Sequence, residues 1–176
     1  MADQVVWLVG AGVHAAEYAK VLKNLNVKFE VIGRGAESAA KFETNTGHPV
    51  HLGGLDNFLS ANLLPVDNQS VVAIVTVTIP NLATCTLQLI KHGVNTILLE
   101  KPGGRDSGEL VEIVRAVEEA EKTGRRMRVR LAYNRRFYAS VRKAQELANE
   151  DGGITSFIFE FTEWSHIIAN LPHPES

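Results

Sequence analysis

An α/β fold built on a doubly wound parallel sheet is predicted for this chain by three observations. Short β-rich runs alternate with longer stretches of helical period. Most of the runs are almost continuously apolar, as strands covered on both faces must be. A glycine-rich turn joins the first run to the first helical stretch.

Residues 4–9 form the first expected strand, and residues 13–25 the first helix, with Ala16, Ala19 and Val21 along it. A second strand is expected over 27–32 and a weaker one near 50–52. The apolar run 71–78 is the next, followed by a helix over 82–92 whose inner face carries Leu82, Thr86, Leu89 and Ile90. After strand 96–99, Asp106 and Glu109 have the spacing of a capping box, with Asp in the place of Ser or Thr. Leu110, Ile113, Val114 and Val117 then make an apolar stripe, and Gly124 supplies a left-handed stop. Residues 127–133 alternate as a strand with one polar face, and 137–148 read as an amphipathic helix carrying Phe137, Val141, Ala144 and Leu147. Residues 154–163 read as a further strand with Phe157, Phe159 and Phe161 on one face. One strand cannot bury three phenylalanines, so it is expected to open a second, sheet-containing domain that this chain truncates. The expected division is a dinucleotide-binding domain over 1–134, then a connecting helix and first strand over 135–176.

The composition narrows the function. With 18 Lys plus Arg against 20 Asp plus Glu, the 176 residues carry a net charge of -2 and no diffuse attraction toward nucleic acid or acidic lipid. The longest apolar stretch, 71–79, is far short of the roughly 20 residues that cross a bilayer. The amino-terminal run is too short for a secretory signal, so a cytoplasmic location is expected. Cys85 is the single cysteine, which excludes an internal disulfide and a thiolate metal cage and leaves a buried thiol on a helix as its plain reading. No metal site is expected, and no nucleophile elbow, zinc-protease motif or phosphate-loop lysine is present. Arg125, Arg126, Arg128 and Arg130 alternate with Met127, Val129 and Leu131, the pattern of a strand's polar face rather than of a phosphate patch.

Gly10-Ala11-Gly12-Val13-His14-Ala15 matches G-x-G-x-x-G/A directly after a strand and at the opening of a helix. Gly10 permits the tight turn, Gly12 lets a diphosphate approach the backbone, and Ala15 lets the helix pack on the strand. Val13 and His14 complete the cofactor-binding turn, the competing reading of His14 being a surface loop residue. The domain is therefore Rossmann-type, and a nicotinamide dinucleotide is the expected ligand. At the end of the second strand, Gly33 leaves room and Arg34 brings a guanidinium suited to a 2′-phosphate, with Ser38 assisting. NADP is thus expected over NAD, because Glu30 lies inside the strand and not at its tip; the competing reading of Arg34 is an ordinary solvated arginine.

Strand 96–99 runs straight into Glu100-Lys101-Pro102. With the glycine motif, Pro80-Asn81 after the fourth strand and Tyr133-Asn134-Arg135-Arg136-Phe137 after the sixth, this ordered set resembles the Gfo/Idh/MocA oxidoreductases, which include glucose-fructose oxidoreductase and inositol dehydrogenase. The resemblance implies hydride transfer between a nicotinamide cofactor and a hydroxyl or keto carbon of a sugar, cyclitol or related polyol. It implies that Lys101 is the catalytic lysine, hydrogen-bonded to the reacting oxygen of the substrate and able to assist its proton transfer. Glu100 would lie against the nicotinamide ribose, and Pro80, Asn81 and Asn134 would bind the cofactor. Arg135 would face the substrate. The family's second domain supplies an Asp and a His as acid and base and the sheet through which such chains form homo-oligomers, and neither is expected here. His166 and His173 fall in a loop and tail and do not take that role. Ile79-Pro80 stands where Thr-Pro is usual, and Thr84 where a His is usual. The chain is then read as the cofactor half of an enzyme, a poor catalyst alone. The other readings are a non-catalytic sensor of nucleotide level and a structural subunit.

Overall fold

The computed structural model describes residues 4–61, 71–158 and 160. The chain divides after Ala132 into two compact units.

The first unit is a six-stranded, all-parallel sheet in the order β3-β2-β1-β4-β5-β6. Its strands are β1 (Val5–Val9), β2 (Lys28–Ile32), β3 (Val50–His51), β4 (Val71–Val75), β5 (Thr96–Leu99) and β6 (Arg128–Leu131). Between them run α1 (Val13–Asn24), α2 (Ala36–Thr46), α3 (Gly54–Ala61), α4 (Ile79–His92) and α5 (Ser107–Lys122). Because side chains alternate across a strand, the four inner strands feed two cores. Val6, Leu8, Phe29, Val31 and Ile74 meet Ala15, Ala19 and Leu22 of α1 and Phe42 of α2. Trp7, Val9, Ile32, Ala73, Val75, Ile97 and Leu99 meet α3, α4 and α5 on the other face. Order reverses between β1 and β4, and the crevice at that switch point opens at the carboxyl ends of the strands.

Several expectations are corrected. β4 stops at Val75 rather than Thr78, and α4 begins at Ile79, ahead of the expected Leu82. Pro80 falls in the first turn of α4, where its missing N–H costs nothing. On α5, Ile113 and Ala120 are buried while Val114 is 54% exposed, so the inward stripe lies to one side of the expected one. Asp106 accepts from the Glu109 N–H at 3.0 Å, but the Glu109 carboxylate returns to the Arg105 N–H at 2.7 Å, one residue before the cap. α2 and α3 were not expected as helices.

Arg125 is neither patch nor polar face. Its guanidinium donates to the Ile90 carbonyl at 2.8 Å, the Val94 carbonyl at 3.2 Å and Asn95 Oδ1 at 2.9 Å, binding the carboxyl end of α4 to the entry of β5. Arg125→Met is expected to cost about 2 kcal/mol, since it leaves partly buried acceptors unpaired. Thermal unfolding should register that as a fall of roughly 6 °C; an unchanged midpoint would refute the clamp.

The second unit opens with a 3₁₀ turn, Asn134–Phe137, and continues as α6, Ala139–Glu150, none of whose residues is buried among the described ones. The strand expected over 154–163 is not formed at residues 154–158, where Phe157 is 84% and Ile158 95% exposed. A single strand has no ladder to join. Phe159 and Phe161 lie outside the described residues, as do His166 and His173.

Candidate functional site

The site is assembled by a row of backbone hydrogen bonds that carries the sheet one residue past its strands. Gly10 N–H donates to the Ile32 carbonyl (2.8 Å), Gly33 N–H to His51 (2.9 Å), Thr76 N–H to Val9 (2.8 Å) and Glu100 N–H to Val75 (2.9 Å). Gly10, Gly33, Thr76 and Glu100 therefore stand side by side across β1, β2, β4 and β5. From β2 to β5 is three strand spacings, roughly 14 Å, a span that suits an elongated ligand.

The glycines of the turn answer to different demands. Gly10 has φ +120, and a Cβ there would come within 2.5 Å of the Thr76 carbonyl oxygen, so the chain itself requires this glycine. Ala15 is fully buried against the sheet, where α1 packs on β1. Gly12 has an ordinary φ of −93, and a Cβ there would meet nothing within 4 Å. Nothing among the described residues asks for glycine at 12; what its absent side chain keeps clear is space beside the first turn of α1. That turn has no side-chain cap and no acidic residue, which leaves its N–H groups and the positive end of the helix dipole available to an anion. Val13 and His14 lie exposed on the same turn. Thr76, 7% exposed, carries a hydroxyl with no hydrogen-bond partner among the described residues. An open cradle of free amides and an orphaned hydroxyl at the switch point fit a dinucleotide.

Gly33 is explained by packing. A Cβ there would lie 2.7 Å from Val50 Cγ1 and 3.2 Å from the Ala11 methyl, so the room expected for a ligand is filled by β3. Arg34 follows at the mouth of the crevice, exposed, and forms none of the ion pairs found among the described residues. Ser38 donates its hydroxyl to the Gly35 carbonyl at 3.0 Å, so toward an anion it has no proton to offer in this arrangement. Glu30 sits at the centre of β2, its carboxylate 3.3 Å from His51 Nε2, away from the strand tip.

On the β4 side, Pro80 and Asn81 occupy the first turn of α4, and Asn81 Nδ2 donates to Thr78 Oγ1 at 2.7 Å. Cys85 lies further along α4; burial pushes its thiol up to about 11, the behaviour of an inert packed cysteine. Glu100 receives the Tyr18 hydroxyl at 2.7 Å and the Lys101 N–H at 3.2 Å. Lys101 is exposed, precedes a cis Pro102, and follows Glu100 directly after β5. Asn134 and Arg135 belong to the 3₁₀ turn of the second unit. Tyr18 and Thr76 were missed in the sequence, where one reads as a helix residue and the other as part of a strand. No group of three metal-ligating side chains occurs among the described residues, and none of their helices is long and apolar enough to cross a membrane.

No family model matches the sequence, and no curated protein does. Solved structures do match. An oxidoreductase from Agrobacterium radiobacter, determined in complex with NAD+, L-tartaric acid and magnesium, superposes with a TM-score of 0.69 at 15% identity, over 86% of this chain and 42% of that one. A Gfo/Idh/MocA family oxidoreductase from Vibrio cholerae gives 0.64 at 14% identity, over 84% and 44%. This chain has the fold of the Gfo/Idh/MocA-type oxidoreductases. A UDP-N-acetylglucosamine 3-dehydrogenase from Acidithiobacillus ferrooxidans shares it, with a TM-score of 0.63 at 16% identity, over 84% and 42%. The chain thus spans about 42% of the length of such structures, and the fold it shares with them is the Rossmann-like sheet.

Proposed function

We propose that this chain is the cofactor-binding part of an NAD(P)-dependent oxidoreductase of the Gfo/Idh/MocA family, acting on a hydroxyl or keto carbon of a sugar, cyclitol or related polyol. The observation that carries this reading is Gly12, a glycine the protein's own packing does not need, beside uncapped helix amides at a sheet switch point. The structural neighbours, one holding NAD+ and one described as a sugar-nucleotide dehydrogenase, support it.

In this reading the amides from Gly12 to Ala15 hold the diphosphate, with Val13 and His14 flanking it, and Gly33 shapes the turn that aims Arg34 at a 2′-phosphate. That makes NADP the preferred cofactor and NAD the alternative. Pro80 and Asn81 border the crevice on the β4 side, and Glu100 accepts hydrogen bonds from a ribose. When bound, the nicotinamide supplies the hydride acceptor or donor. Lys101 would hold the substrate oxygen, taking up that oxygen's proton as a neutral amine when the carbon is oxidised and returning it as an ammonium when the carbon is reduced. Asn134 and Arg135 are assigned by the family motif to cofactor and substrate. Substrate selection, and assembly into homo-oligomers, would belong to the sheet of a second domain.

Titration calorimetry of the chain with NADP+ and NAD+ tests the first half, and absence of heat with folded protein would end it. The second half is tested in an enzyme containing this chain. There Lys101→Met is expected to lower kcat by about 10²- to 10⁴-fold while nucleotide affinity stays within roughly threefold. An unchanged kcat would remove Lys101 from the chemistry.

A further inference from the structure

Tyr18 lies on α1, and Glu100 immediately follows β5, 82 residues later. Residues 98 and 100 share a strand face by the two-residue period, and Leu98 packs in the core that α1 covers. The tyrosine therefore reaches Glu100 from above that face. Its hydroxyl donates to Oε1 at 2.7 Å, and the Lys101 N–H donates to Oε2 at 3.2 Å, one donor to each oxygen.

We propose that Tyr18 is a positioning residue for Glu100, orienting its carboxylate toward the vicinal hydroxyls of the second, non-adenosine ribose of a bound dinucleotide. This deepens the proposed function and rests on it. A carboxylate offers about four acceptor positions. Two are used internally, and two remain for a diol. Burial, and then the bond to Glu100, push the Tyr18 phenol well above its ordinary value, so it stays a donor through the working pH range. The same bond ties α1, whose first turn carries the phosphate cradle, to the β5 end that carries Lys101. Both ends of the crevice are thereby held by one side chain.

The test compares two probes. ADP-ribose carries the second ribose and ADP does not, while both present a diphosphate and adenosine. Tyr18→Phe keeps the ring and removes the hydroxyl. Calorimetry on the full chain is expected to show about tenfold weaker binding of ADP-ribose, the loss of one hydrogen bond to a charged group, with ADP unchanged within twofold. Glu100→Gln should give the same pattern, and the double variant should lose no more than either single one. Equal weakening of both probes would reduce Tyr18 to a structural tie, and no weakening of either would remove the role. Wild-type chain that binds ADP and ADP-ribose equally would deny Glu100 its ribose while leaving the phosphate cradle standing. Wild-type chain that binds neither would overturn the nucleotide reading itself and this role with it.

Discussion

Gly12→Val is expected to leave the chain folded and unable to hold a dinucleotide, while Gly10→Ala, two residues earlier and with a far smaller side chain, should damage the fold. A valine at 12 takes an ordinary backbone angle and grows into open space, with no atom of the described residues within 4 Å of its Cβ. Its cost to stability is that of a poor helix cap, about 1 kcal/mol. Its effect on binding is large, because the isopropyl group occupies the volume beside the first-turn amides; a loss of at least about 100-fold is expected, equivalent to roughly 2.8 kcal/mol. At position 10 a methyl group must meet the Thr76 carbonyl at 2.5 Å from a backbone angle of φ +120. Strain and overlap together should cost about 3 kcal/mol, a fall of roughly 10 °C in Tm. Thermal unfolding and calorimetry on both variants separate the cases. Should Gly12→Val bind nucleotide normally, the open cradle has no functional meaning.

Arg34→Ala should discriminate between cofactors. A guanidinium on a 2′-phosphate makes charge-assisted hydrogen bonds of about 1.5–3 kcal/mol, so NADP+ affinity is expected to fall about 10- to 100-fold while NAD+ affinity changes less than about twofold. Ser38→Ala should add little, its proton being given to the Gly35 carbonyl. Equal loss for both cofactors would assign Arg34 to the fold or to the adenosine. No loss for either would return it to solvent.

How much of this was legible beforehand depended on whether a residue's partner lies near it in the chain. β5 was read with the right bounds because it is short, apolar and closed by Glu100-Lys101-Pro102. β4 was read too long: its apolar run continues to Val77, and only the end of pairing with β1 and β5 shows where the strand stops. α2 and α3 escaped because each buries just two residues, Ala39 with Phe42 and Leu55 with Phe58, and neither has the Asp106–Glu109 capping pair that marks α5. Gly33 was read as room for a ligand because nothing local to it announces Val50. Arg125 was read by its neighbours' alternation, whereas its acceptors lie 30 to 35 residues away.

The sequence by itself determined the α/β class, the strand–glycine turn–helix unit and the placing of Glu100-Lys101-Pro102 at a strand end, since periodicity, turn chemistry and motif spacing are local properties. Tertiary structure decided which glycine serves the fold and which serves the crevice, and brought Tyr18 to Glu100 across 82 residues. The physical reason is that a close approach belongs to two segments at once. Whether a Cβ would strike a carbonyl or stand in open space depends on atoms that pairing of β1 with β4 carries there.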